Sequence, residues 1–279
     1  MNDWQALGLR LRDLAAAAGV STGIIVLTLG CFVLAAVLLQ IVTRLLRTRW
    51  FELLGERSWT FLAMPGTVIH ETGHALFCVI FRHRIEEIKL FSPAPDGTLG
   101  YVNHSWDSKN IYQRVGIFFI GTGPVIFGTA LLIFLTALLM PGIRQGLSLP
   151  DCHGPGDLAA GTLALTFRML RGLFIPEAWL RWESYLWVVL MLLIGSHITL
   201  SRADLKGLGS GALLLLVILY VFDLAVLHWF DPAELLLYRW GSYLAGALAG
   251  VLLILAVLSG FTAVLYLPVF SCGKGTRQK

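Results

Sequence analysis

The chain has 279 residues, 57% of them hydrophobic and 14% charged, with a mean hydropathy of +0.76. A soluble domain carries about a quarter charged residues, so this composition excludes an ordinary soluble globular protein, a disordered chain and a small disulfide scaffold. The net charge of +4 comes from Lys and Arg placed mostly between the apolar segments, which leaves no signal for nucleic-acid binding.

Apolar stretches of roughly twenty residues, the length of a membrane-crossing helix, recur along the sequence. Six are expected as spans, at Ile24–Val42, Phe61–Phe81, Val115–Met140, Tyr185–Leu200, Gly211–Phe230 and Leu244–Val269. The opening MNDWQALGLRLRDL does not read as a cleavable signal. Between the second and third spans, Glu86–Phe91 and Thr98–His104 are β-compatible runs joined by the Pro/Gly turn SPAPDG, which predicts a β-hairpin at the membrane surface. Asp157–Ile175 is apolar but carries Arg168 and Arg171, and reads as a helix lying at the interface or as a seventh span.

The expected fold is therefore an all-α polytopic membrane protein of about six transmembrane helices with a small surface β-hairpin, in a single domain over residues 1–279. With six spans, 12 Lys and Arg fall on the side of the N-terminus and 9 on the other. That places both termini in the cytoplasm, makes 141–183 an extracytoplasmic loop, and suits a bacterial cytoplasmic membrane. Cys152 and Cys272 then lie on opposite sides and are not expected to pair.

The second span contains His70-Glu71-Thr72-Gly73-His74, an HExxH pattern. Residues i and i+4 share a helix face, so both imidazoles can converge on one metal ion, with Glu71 at its rim as general base. Zinc is the expected metal: it lowers the pKa of bound water and polarises a carbonyl. Two histidines and a glutamate inside an apolar segment mark a functional site, because ionisable groups are expensive there. A third ligand is needed, and two candidates follow the fourth span: Asp204 and His197. If one helix ran through both, their spacing of seven would put them on one face. Asp223 is a further acidic residue within a span, placed to pair with His228. Cys152-His153, in the loop DCHGPGD, is a weak metal signal, and His83 and His104 flank the hairpin as expected surface residues.

HETGH in an apolar span, a short β-hairpin after it, Gly121-Thr122-Gly123-Pro124 in the next span and a later aspartate together resemble the site-2 protease family of intramembrane zinc metalloproteases. The resemblance covers roughly residues 60–130 and 185–210. It implies that His70, His74 and Asp204 bind Zn2+, that Glu71 is the general base, and that Glu86–His104 pairs with an extended substrate strand. The family's aspartate commonly stands in Leu-Asp-Gly, whereas here the sequence reads Ala-Asp-Leu-Lys-Gly.

The expected function is a zinc-dependent intramembrane endopeptidase acting on membrane-anchored protein substrates. Its surroundings are a lipid bilayer, with no nucleic-acid partner, and the sequence does not specify an oligomeric state. The alternatives are a membrane transporter or sensor that binds zinc without hydrolysis, and a catalytically silent scaffold that binds partner helices.

Overall fold

The computed structural model describes residues 3–150, 157–201 and 231–265, together with residues 204, 211, 213–214, 216–218 and 220–222. These residues are mostly helical. Helix α1 covers Asp3–Ile80, and its backbone leaves helical geometry at Gly55 (φ 75°, ψ 168°), a conformation open to a residue without Cβ. Strands β1 (Arg84–Lys89) and β2 (Tyr101–Ser105) follow. Helix α2 covers Ile111–Leu139, α3 is the single turn Pro141–Arg144, and α4 covers Asp157–Gly172. A 3-10 turn at Pro176–Leu180 leads into α5, Trp182–Gly195, and the last described helix, α6, is Asp231–Leu265.

The expectation of six membrane spans does not hold. Among the described residues only two helical stretches, Ile111–Leu139 and Arg239–Ser259, are long and apolar enough to cross a bilayer. They correspond to the expected third and sixth spans. The first and second expected spans lie on the two helices that meet at the kink at Gly55, and the apolar run of the second is broken by Pro65, Gly66, His70, Glu71 and His74 while its helix continues. At 14 residues, α5 is too short. A rise of about 1.5 Å per residue makes it about 21 Å long, against a hydrocarbon core of about 30 Å. The fifth expected span falls largely outside the described residues.

The predicted hairpin is likewise an open two-stranded antiparallel sheet. Arg84 pairs with Ser105 and Lys89 with Tyr101, with a register irregularity between Ile85 and Glu87. The SPAPDG turn does form: the Gly97 N–H donates to the Ala94 carbonyl at 3.0 Å, and Gly97 takes a φ of 85°. No third strand closes the sheet among the described residues, and both outer edges stay unpaired.

Around this frame the chain closes by ordinary means. Asn110 caps α2, its side-chain oxygen accepting from the Tyr112 and Gln113 N–H groups at 3.0 and 3.3 Å. Pro141 stops α2 and opens α3 at the position where a missing N–H costs nothing. The core joins α2, α4, α5 and α6 through Leu132, Leu165, Met169, Trp187, Met191, Leu252 and Leu255. Trp187 is fully buried, and its indole N–H donates to the Thr136 hydroxyl at 2.9 Å. That hydroxyl in turn donates to the Leu132 carbonyl at 2.7 Å, so both of these buried polar groups are paired. Helix α4 lays its buried face on α6: Thr166 donates to the Gly246 carbonyl at 3.2 Å, and Ser242 to the Leu158 carbonyl at 3.1 Å. The segment expected at the interface is thus a helix packed on the last one.

Leu132 is completely buried between these helices. Leu132→Ala is expected to cost about 2–5 kcal/mol through lost contacts and a residual cavity. A lower thermal midpoint of the detergent-purified protein checks it, and an unchanged midpoint would place the core elsewhere.

Candidate metal centre

The HExxH segment is helical, as its spacing requires, and His70 and His74 stand one turn apart with their Nε2 atoms 3.3 Å from each other. Asp204 completes the cluster. Its Oδ1 lies 3.1 Å from His74 Nε2, and its Oδ2 lies 3.6 Å from His70 Nε2. One ligand atom from each residue falls within 4.8 Å of the others, and this is the group of three among the described residues able to hold a metal ion. Tetrahedral donors about 2.0–2.1 Å from a metal lie about 3.3 Å apart, which two of these three separations approach. The donor set, two imidazoles and a carboxylate, suits a divalent cation, and the triad is consistent with an HExxH-type zinc-protease active site.

Main-chain carbonyls set the orientation of both imidazoles. His70 Nδ1 is 2.8 Å from the carbonyl oxygen of His197, and His74 Nδ1 is 2.7 Å from that of Ile120. A carbonyl only accepts, so each Nδ1 carries the proton and each Nε2 turns its lone pair toward the other ring and Asp204. Asp204 is fixed in its turn by a reciprocal cap. Its carboxylate accepts from the Ser201 N–H at 2.6 Å, while the Ser201 hydroxyl accepts from the Asp204 N–H at 3.1 Å. This is the capping-box arrangement at a helix start, with aspartate in place of the usual glutamate.

Helix spacing around the site depends on glycines. A Cβ on Gly66 would fall 2.5 Å from both His197 Nδ1 and the Leu193 carbonyl oxygen. The absence of that Cβ lets α1 touch the end of α5 one turn before His70. A Cβ on Gly73 would meet the backbone of Gly123 and Pro124 at 2.8 Å, so α1 and α2 are in main-chain contact beside His74. Gly100, just before β2, is equally tight, since a Cβ there would lie 2.9 Å from Glu71 Cγ. Glu71 itself is buried, 7% exposed, under the connection between the strands.

Of the two candidates for third ligand, the structure brings Asp204 to the histidines and turns His197 to another task. Helix α5 ends at Gly195, so no continuous helix carries both residues. The His197 ring stacks on Trp59 with centroids 5.8 Å apart, and its Nδ1 lies 2.9 Å from the Ser196 hydroxyl. Only its carbonyl reaches the site. Asp223, His228, Cys152, His153 and Cys272 lie outside the described residues. Cys78 is a buried free thiol, as its place in an apolar segment suggests.

His83 corrects the expectation of a surface residue, for it is only 5% exposed. Its Nε2–H donates to the Gln113 carbonyl at 2.8 Å, and its Nδ1 faces His104 Nδ1 at 3.1 Å. The pair ties the end of α1 and the start of α2 to β2, and no sequence periodicity announces it. The carbonyls of Ile120 and His197 were equally invisible as site components, because main-chain acceptors carry no residue signature.

Comparison with known proteins found no match to a family model, to a curated protein or to a solved structure.

Burial holds His83 below the ordinary imidazole value of 6.5, against its bond to Gln113; burial, then the neighbouring His83 and His74, does the same for His104. The pair therefore stabilises the fold above about pH 6.5 and loses that contribution as pH falls through the lowered folded values. Lower protection of the amides of residues 101–105, relative to their intrinsic exchange rate at each pH, is the expected outcome below that pH. His104→Gln should flatten the pH dependence, and an equal response in that variant would remove the pair as its cause.

Proposed function

We propose that the chain is a zinc-dependent endopeptidase, similar to site-2 proteases, that cleaves membrane-anchored protein substrates. The observation that carries this reading is the His70, His74 and Asp204 cluster with both Nδ1 atoms already committed to carbonyls, so that three donor groups face one point. His70, His74 and Asp204 would hold the ion. A zinc ion bound there supplies Lewis acidity toward water and the scissile carbonyl.

Glu71, next to His70 and shielded from bulk water, takes the proton of the attacking water and returns it to the leaving amine. The open sheet supplies the place for substrate. Its unpaired edges offer main-chain donors and acceptors to an extended segment, and Gly100 brings the strand connection against Glu71. A helical substrate must unwind first, since its carbonyls are otherwise hidden in its own hydrogen bonds. Support for a membrane-anchored substrate comes from α2. One of the two membrane-length helices, it forms the wall of the site through Ile120, although the triad itself stands on other elements.

Metal content of the detergent-purified chain should be about one zinc per molecule, lost in His70→Ala and Asp204→Ala and kept in His197→Ala. Glu71→Gln should keep the metal and slow cleavage of co-reconstituted single-span proteins by about 10²–10⁴-fold. Wild-type cleavage by Glu71→Gln would remove the general-base assignment, and a wild type without metal would overturn the enzyme reading.

A further inference from the structure

The carbonyl that orients His74 belongs to the interior of a long helix, where a carbonyl ordinarily accepts from the N–H four residues on. Four residues after Ile120 stands Pro124, inside α2 and without an N–H to give. The Ile120 oxygen therefore lacks its usual donor four residues on, and His74 Nδ1–H bonds to it at 2.7 Å. The same place is where α1 and α2 come into backbone contact. A Cβ on Gly73 would lie 2.8 Å from Pro124 Cα, and one on Gly123 would lie 2.7 Å from the Gly73 oxygen. The proline thus sits at a close approach of the two helices, beside Gly73 and so one residue along α1 from the imidazole that uses the acceptor.

We infer that Pro124 is a positioning residue of the metal centre: by withholding an N–H from the Ile120 carbonyl, it supplies the acceptor that fixes His74 with Nε2 toward Asp204 and His70. This rests on the metal-centre reading above and adds to it the origin of one ligand's orientation. The opposite ring takes its acceptor from His197, which lies beyond the end of α5.

The test compares metal affinity of wild type, Pro124→Ala and Pro124→lactic acid, using Zn2+ competition and the visible spectrum of the Co2+-loaded protein, with the thermal midpoint of the metal-free form measured alongside. Alanine restores an N–H that draws the Ile120 carbonyl back into the helix. Lactic acid places an ester oxygen there, removing the ring yet still giving no donor. Pro124→Ala is expected to bind about 10–100-fold more weakly, the usual effect of losing a hydrogen bond behind a ligand, with an altered Co2+ spectrum. Its metal-free thermal midpoint should be equal or higher, since alanine suits a helix interior better than proline. The lactic acid variant should bind within a few-fold of wild type.

Equal affinity in Pro124→Ala, or equal weakening in the alanine and lactic acid variants, would overturn the role of the missing N–H and leave the metal centre standing. A wild type that binds neither ion would overturn both.

Discussion

Two imidazoles and a carboxylate packed within bonding distance of one another are the constraint to which the rest of this structure answers. Each ring has two nitrogens, and only one can face a metal. The other must be held by an acceptor that no helix is already using. Here the acceptors are the carbonyls of Ile120 and His197. One is released by a proline within α2 and the other stands past the end of α5. Helix α1 carries the two histidines, so these bonds tie it to two other helices at defined points. A neutral hydrogen bond contributes only about 0.5–1.5 kcal/mol net to stability. The value of these two is in direction, because they decide which nitrogen is presented.

The packing elsewhere serves those contacts. Gly66 and Gly73 stand where α1 must touch α5 and α2, and a side chain at either would separate the backbones by more than a hydrogen bond tolerates. Trp187, Thr136 and Leu132 join α5 to α2 through a paired polar chain in an otherwise apolar layer. This fixes the height at which α5 ends and delivers the His197 carbonyl. Ser201 and Asp204 are then tied to each other by two reciprocal hydrogen bonds. One of them satisfies part of the carboxylate while Oδ1 points to His74. A lone buried carboxylate would be costly without such partners.

HExxH was legible because its information is a residue spacing, and helical geometry converts spacing into a shared face. Asp204 was legible as a candidate but not as a decision. In sequence His197 and Asp204 differ only by assumptions about where a helix ends. The Ser-x-x-Asp spacing of Ser201 and Asp204, which the sequence reading did not use, was the signal that could have separated them. The six-span expectation failed for a related reason. Hydropathy counts apolar residues in a window, and it cannot see the polar groups that break the apolar run after the kink at Gly55, or tell a core helix of 14 residues from a span. Main-chain acceptors and the His83–His104 pair were beyond reach, since both depend on which segments meet in space.

The placement of the triad beside the membrane-length helices, and not on them, follows from the chemistry it carries. A helix bearing His70, Glu71 and His74 cannot also present an unbroken apolar surface, so it relies on neighbours for shielding, and α2 lies in backbone contact with it beside His74. The open edges of the β1–β2 sheet extend the same logic outward. An unpaired edge is ordinarily a liability that proteins blunt or cover. Here the connection at the end of that sheet presses on Glu71 through Gly100. An edge left open beside a buried carboxylate is compatible with pairing to an extended polypeptide segment, which would add a strand there through main-chain hydrogen bonds.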